Sequence, residues 1–346
     1  MRAEDVIVPT RNGIFCKPGD FYIDPTSPVD RAVITHAHAD HARPGHQHVL
    51  ATQETIDLMR VRYGDDFAGS AQALAYAQSI RIGDIGLSLH PAGHMLGSAQ
   101  VLIEANGMRI VASGDYKKER DPTCAPFEPI TCDVFITEAT FGLPIFRHGE
   151  AAAEIGKLLR SVALFADRAH LVGAYRFGKA QRLIALLREA GYDRPIYLHG
   201  AMEKATRYYQ ERGIDLGVVQ PVGKLRKTEL AGSIALCPPE SLHEIWSRRF
   251  PDPVTSIASG WMRVRARARQ RLLQLPLVIS DHADWEGLTG TIAATGAGEV
   301  WVTHGQEDAL VHWSLKQGLG ARALEIMGYG EEHGAADESS RLGTGP

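Results

Sequence analysis

Cysteine is scarce in this chain. Cys16, Cys124, Cys132 and Cys237 stand far apart with no CxxC spacing, which excludes both a disulfide framework and a thiolate zinc site. Reduced, partly buried thiols are expected. No run of 18 apolar residues occurs, so no membrane-spanning helix is predicted, and the opening MRAEDVIVPTRNG is too polar for a secretory signal. A cytoplasmic protein with no membrane partner is the expectation. Excess positive charge is missing too: 37 Lys+Arg against 41 Asp+Glu leave a net charge of −4, so the whole molecule is not a basic coat for nucleic acid, and a polyanionic partner needs a local basic patch. The 7% aromatic content argues against an extended base-stacking surface. What remains is globular composition, 44% hydrophobic and 23% charged over 346 residues. That is room for two domains at about 150 residues each. Histidine is the exception: five of the 15, His36, His38, His41, His46 and His48, fall within one short segment.

The first third reads as short apolar runs punctuated by Gly and Pro, such as DFYID, RAVITH, GLSLHPAGH and DVFITEAT. Asn106-Gly107 between two such runs signals a two-residue hairpin. Only TQETIDLMRVRYG (52–64) has helical spacing there. From about residue 150 the texture changes to long helical patterns, EAAAEIGKLLRSVALFAD, GKAQRLIALLREAG and MEKATRYYQERG, separated by short strands such as HLVGAY and PIYLHG. After LPLVISDHAD come a helix (285–295), a strand EVWVTHG, a helix (307–319) and a strand ALEIMG. The tail 331–346 lacks periodicity and is expected to be disordered.

RAVITHAHADH sets an apolar strand directly before His36-x-His38-x-Asp40-His41. In extended backbone residues two apart face the same side, so His36 and His38 can address one ion while the turn after them presents Asp40 and His41 to a second. Imidazole and carboxylate suit zinc, and so many ligand types in one loop are hard to explain by packing. One loop cannot enclose two ions, so distant strand-end residues beside glycine are needed: His94 in HPAGHMLGSAQ, Asp115 in IVASGDY and His304 in VWVTHGQE. The count then closes with His36, His38 and His94 on one ion, Asp40, His41 and His304 on the other, and Asp115 bridging. The ions expected are two divalent cations, Zn²⁺ by ligand type or Mn²⁺. His46, His48 and His90 lack the strand-end position and are expected to be rim or packing residues.

These motifs resemble those of metallo-β-lactamase-fold hydrolases, and more narrowly the β-CASP nucleases. THAHADHARPGH, TEATFG, SGWM followed by an arginine series, and SDHADW together are similar to the bacterial ligase-associated DNA exonucleases. The resemblance covers about residues 1–330. It implies an α/β fold: an αββα metallo-β-lactamase sandwich from 1–146 and 281–330, interrupted by an inserted α/β β-CASP domain at 147–280. It implies a DNA repair setting, 5′-to-3′ exonuclease action on DNA, and an ATP-dependent DNA ligase and a helicase as partners. Two residues take roles from it: His282 as proton donor to the leaving oxygen, and Glu138 as the carboxylate fixing its tautomer. Asp24, at the end of the strand before the metal loop, becomes the group orienting that loop; Asp30 competes for this part, and a plain turn at Asp24-Pro25 is the simpler alternative. For His282 the alternative is an exposed residue in a helix N-cap formed by Asp281 or Asp284.

Substrate contacts come from a region free of acids. Between Pro253 and Ser280 there is no Asp or Glu, while Arg263, Arg265, Arg267, Arg269 and Arg271 recur at every second position. A strand would gather all five on one face; a helix would gather Arg263, Arg267 and Arg271. Arg176 and Lys179 at a helix start, with Ser259 and Gly260, are the nominees for a terminal phosphate. Trp261 reads either as a base platform or as a core anchor, and Tyr208 and Tyr209 as structural. His304 departs from the Artemis-like branch, which usually lacks that histidine, and keeps open a ribonuclease acting in RNA 3′-end processing or turnover. A catalytically silent nucleic-acid-binding partner of a ligase or helicase is the third reading.

Overall fold

A computed structural model describes residues 2–223 and 226–324. Two sheets stack face to face. The first has six strands in chain order, Ile7–Thr10, Gly13–Cys16, Phe21–Ile23, Arg31–Val33, His46–Ala51 and Ala68–Ala73. The second has seven, in the spatial order Gly320–Ala323, Glu299–Gly305, Val134–Ala139, Met108–Ala112, Ala99–Ala105, Ile85–Pro91 and Ser79–Ile82. Ile7, Phe21, Ile23 and Val33 of the first sheet share one buried cluster with Leu87, Val101, Ile110 and Ile136 of the second. Burying each such side chain contributes about 1.5–3 kcal/mol, so this interface is a large source of stability for the sandwich.

Helices close both outer faces. Helix Gln53–Tyr63, capped by Thr52, lays Ile56 and Met59 on Ala32, Ile34 and Val49 of the first sheet. Helices Trp285–Thr295 and Glu307–Lys316 lay Leu288, Ile292 and Leu310 on Val111, Phe135 and Val300 of the second. The layers are therefore α, β, β, α. Asn106 and Gly107 form the turn between Ala99–Ala105 and Met108–Ala112, both with positive φ (50° and 82°), as a two-residue turn of the I′ kind requires.

A third sheet of five parallel strands is built entirely from the middle of the chain, in the order Val219–Pro221, Ile196–Leu198, Ile234–Cys237, His170–Gly173 and Val254–Ile257. His170–Gly173 and Ile234–Cys237 are buried along their whole length, as parallel strands covered on both faces must be. Helices Ala151–Leu164, Lys179–Glu189 and Gly200–Glu211 accompany this sheet. Its core runs on into Ala37, Leu58 and Met95 of the sandwich. Tyr208 Oη donates to Asp57 at 2.9 Å, and the fully buried Tyr209 hydroxyl accepts from Leu96 N at 3.3 Å, so both tyrosines join the two bodies.

Two expectations shift, and a third reading left open by the sequence is decided. The last described strand is Gly320–Ala323, ahead of the ALEIMG expected, of which 325–328 lie outside the described residues, as does the tail 331–346. The arginine series forms no strand: a 3₁₀ turn Gly260–Arg263 leads into helix Arg265–Gln270, which splits the stripe around a turn. Trp261 is 9% exposed and packs on Phe141 and Phe146 with ring centroids at 4.9 and 5.1 Å, making it a core anchor.

Candidate metal centre

Strand Arg31–Val33 delivers Thr35 and the HAHADH turn to one end of the sandwich. Asp24, buried with φ 43°, ties this turn down: its carboxylate accepts from Thr35 N (2.7 Å) and Thr35 Oγ1 (2.6 Å) and meets His41 Nδ1 at 2.8 Å. Asp30, the competitor, is exposed and lies 3.7 Å from Arg31. Gly114 lets the Asp115 turn reach Thr35; a Cβ there would come within 2.7 Å of Thr35 Oγ1. His304 arrives through a register shift: Glu138 pairs with Thr303 and Ala139 with Gly305, leaving His304 as the extra residue at φ 59°. Such a bulge re-aims a side chain, here over His41, on which it stacks at 4.6 Å.

Asp115 Oδ2 is the hub. It lies 3.4 Å from His41 Nε2, 3.5 Å from His36 Nε2, 3.9 Å from His94 Nε2 and 3.9 Å from His282 Nδ1. The side chains fall into a group of His36, His38, His94 and Asp115 and a group of Asp40, His41 and His304, the potential ligand atoms in each lying within 4.8 Å of one another. A third group of Asp115, Glu138 and His282 adjoins them.

The outward nitrogens are already engaged. His36 Nδ1 meets Thr35 Oγ1 at 3.0 Å, His38 Nε2 the Phe177 carbonyl at 3.1 Å, and His94 Nδ1 the Asp281 carbonyl at 2.9 Å. Carbonyl oxygen only accepts, so His38 Nε2 and His94 Nδ1 carry the protons. Their other nitrogens, His38 Nδ1 and His94 Nε2, face each other 3.0 Å apart. His36 Nε2 and Asp115 Oδ1 are buried with no hydrogen-bond partner among the described residues. Converging imidazoles and orphaned buried atoms around a carboxylate are what a cation relieves, so the residues present fit divalent metal.

Electrostatics follows the same logic. Burial holds His94 and His304 down at about 3, with the neighbouring histidines adding to the effect. Burial, then the charge of His41, takes His36 well below its usual value. His41 is opposed by burial yet held well above the usual value by Asp115 and Asp40. Burial raises Glu138, whose Oε2 lies 2.9 Å from His282 Nδ1 while its Oε1 accepts from Tyr116 N at 2.8 Å. His282 is 2% exposed, so the exposed-cap alternative does not hold. The cap of helix Trp285–Thr295 is Asp284, whose carboxylate accepts from Gly287 N at 2.9 Å.

The substrate nominees are placed unevenly. Lys179 is buried, and its Nζ lies 3.0 Å from Asp281, so its charge is held internally and the surface-cation reading is corrected. Ser259 is buried and caps the turn ahead of Trp261. Gly260 has no room for a side chain, since a Cβ would fall 2.4 Å from the Phe141 ring. Arg263 and Arg265 are exposed; Arg267 is half-buried, its guanidinium 4.0 Å above the Trp261 ring. Arg176 is half-buried beside Phe177. His46 is buried with Nδ1 accepting from Val29 N at 3.2 Å, His48 meets Ser70 at 2.8 Å and His90 meets Ser88 at 3.1 Å, all outside the ligand groups.

Two arginines escaped the sequence reading. Arg182 is buried and bonds Asp281 at 2.9 Å. Arg62 stacks over Phe177 at 4.2 Å and donates to the Ala37 carbonyl at 3.4 Å, on the rim of the HAHADH turn. Only helical position marked them, and a helical arginine ordinarily reads as solvated.

No protein-family model matches the chain. A probable DNA ligase of Opitutus terrae is 28% identical over 330 residues, covering 93% of this chain and 31% of that protein. A ribonuclease of Thermus thermophilus is 28% identical over 228 residues, covering 55% of this chain and 52% of its own length. An RNase J-like protein of Methanocaldococcus jannaschii is 24% identical, over 58% of this chain and 56% of that one. The chain thus spans about a third to a little over half of these relatives. Among solved structures, a protein of unknown function from Enterococcus faecalis superimposes with a TM-score of 0.59 at 16% identity, covering 86% of this chain and 80% of that one, a likeness of fold.

Proposed function

We propose, starting from a chain homologous to the β-CASP nucleases of metallo-β-lactamase fold, that it is a metal-dependent DNA exonuclease working 5′ to 3′ in DNA repair. The observation that carries the reading is the ring around Asp115: side chains from separate segments converge, and His38 Nδ1 and His94 Nε2 meet at 3.0 Å. His36, His38, His94 and Asp115 would hold one divalent ion, and Asp40, His41 and His304 the other, with Asp115 shared. Bound there, the ions supply positive charge to phosphate oxygens and make a water acidic enough to attack near neutral pH.

The remaining work falls to protein groups. Glu138 accepts from His282 Nδ1, fixing the ring and favouring its protonated form, so that Nε2–H is the donor to the departing 3′ oxygen. Asp24 fixes the tautomer of His41 through Nδ1, which leaves Nε2 as its ligand atom. Arg62, Arg176 and the exposed Arg263 and Arg265 supply cationic contacts to the strand. The organisation we adopt is 1–146 with 281–330 as the metal-bearing domain and 147–280 as the insertion; the third sheet, confined to 170–257, supports it.

DNA is favoured because the ligase relative is matched along 93% of this chain, which also motivates an ATP-dependent ligase, with a helicase, as partners. The ribonuclease reading is favoured by His304 in the ring and by the ribonuclease relatives, each matched over little more than half of the chain. No helix among the described residues is long and apolar enough to cross a membrane. The deciding experiment digests end-labelled single- and double-stranded DNA and matched RNA, each with 5′ phosphate or 5′ hydroxyl, in Zn²⁺ or Mn²⁺. Stepwise products from DNA 5′ ends are expected; cleavage of RNA alone overturns the proposal in favour of the ribonuclease. Absence of cleavage in a metal-replete protein leaves the silent binding partner.

A further inference from the structure

Behind the metal ring lies a buried ion network that the chemistry above does not use. Lys179 and Arg182, one turn apart at the start of helix Lys179–Glu189, are each 2% exposed. Asp281 lies 3.0 Å from Lys179 Nζ and 2.9 Å from Arg182 Nη1. Arg182 Nε reaches Asp121 at 3.5 Å, and Arg182 Nη1 also bonds the Ser280 carbonyl. Replacing a buried ion pair by apolar groups of similar shape is often neutral or stabilising, so stability alone explains such a network poorly.

The backbone supplies another role. Asp281 turns its carbonyl to His94 Nδ1, and Phe177, two residues ahead of Lys179, turns its carbonyl to His38 Nε2. These are the two bonds that decide which nitrogens of His38 and His94 face Asp115. Both carbonyls hang on one anchor, since Lys179 follows Phe177 closely in sequence and binds the side chain of Asp281. The glycine between Phe177 and Lys179, at φ 82°, brings this segment against the ring: a Cβ there would lie 3.8 Å from His38 Nε2.

We propose that Lys179 and Arg182 are positioning residues, clamping the Asp281 and Phe177 carbonyls so that His38 presents Nδ1 and His94 presents Nε2 to a divalent cation. Retention of that cation then depends on docking of helix Lys179–Glu189 against residues 280–282. The inference rests on the metal-centre reading above. It also takes Lys179 out of nucleic-acid contact and makes it an internal strut.

The test uses the full chain and Zn²⁺ alone, with affinities read by competition against a chromophoric chelator and thermal melts run in chelator and in Zn²⁺. The double variant Lys179→Met/Asp281→Asn removes the Lys179–Asp281 pair and the Asp281 charge that faces Arg182 while keeping shape, Arg182 retaining Asp121. It is expected to melt cooperatively without metal, to bind one of the two ions 10–100-fold more weakly, the usual cost of losing the partners behind a ligand, and to gain less melting temperature from Zn²⁺ than the parent. Lys179→Arg, which keeps the charge, is expected to restore the affinity. Asp121→Asn loosens the same network without touching either carbonyl, and should lower the metal-free melting temperature while leaving Zn²⁺ affinity unchanged. Should the double variant not fold, Lys179→Gln takes its place with the same expectations. A folded variant holding both ions as the parent does, or Asp121→Asn weakening Zn²⁺ as much as the double variant, overturns the inference alone. A parent chain that binds no Zn²⁺ overturns the metal-centre reading and this inference with it.

Discussion

Replacing His282 with alanine tests the proposed chemistry at the atom that does the work. The ring is 2% exposed, and its Nδ1 is engaged by Glu138 Oε2 at 2.9 Å, well inside its 3.9 Å distance from Asp115. Loss of a general acid removes about 10²–10⁴ in rate. At 1.36 kcal/mol per decade that is about 2.7–5.4 kcal/mol of transition-state stabilisation. Asp115 keeps His36, His41 and His94 around it, so two ions should remain bound, as metal analysis of the purified variant will read. Single-turnover digestion of 5′-labelled DNA measures the loss. A nucleotide p-nitrophenyl ester isolates its cause, because p-nitrophenolate departs without a proton and the variant should then approach the parent rate. An equal loss on both substrates refutes the proton-donor role, and loss of an ion refutes the separation of His282 from the ligand ring.

Asp24→Ala should destabilise the fold by about 3 kcal/mol or more, since it strands Thr35 N, Thr35 Oγ1 and His41 Nδ1 in the interior; urea unfolding of the metal-free protein measures it, and Asp30→Ala should be silent. Arg62→Ala should raise KM for DNA with little change in kcat and reduce the slope of log affinity against log salt by about 1, as loss of one phosphate contact does; an unchanged slope removes Arg62 from the substrate path. His46 is held down to about 4, by burial first, so the folded state binds its proton less readily than the unfolded chain. Its contribution is therefore complete above pH 6.5 and lost as pH falls from 6.5 toward 4, and His46→Gln should flatten that part of the stability profile in denaturant titrations.

Legibility tracked the distance over which each feature is encoded. His36, His38, Asp40 and His41 could be nominated because their chemistry is local: adjacent ligand types after an apolar strand. His94, Asp115 and His304 were readable from a weaker regularity, a strand end beside glycine, and Gly114 shows its physical content, since only a residue without a Cβ lets the Asp115 turn approach Thr35. The fold's layers were legible for the same reason, through runs long enough to show a period. Ala68–Ala73 (AGSAQA) shows no such run because it has almost no large apolar residue, and Val254–Ile257 (VTSI) because it is short.

Features made by two distant segments left no local trace. EVWVTHG reads as a regular strand, yet the shift against Glu138 and Ala139 turns His304 into a bulge residue; the partner strand determines that, and no pattern within seven residues contains it. Lys179 and Arg182 show the limit most clearly. On a helix start a lysine and an arginine signal an exposed cationic end, and what reverses the reading is Asp281, brought beneath them by the return of the chain after the third sheet. A charge is costly to bury without a partner, so the sequence default of exposure is the right one until the partner is known. Sequence position therefore told which residue types could serve a metal centre, whereas the assignment of each cation to strand contact or to internal strut had to wait for the fold.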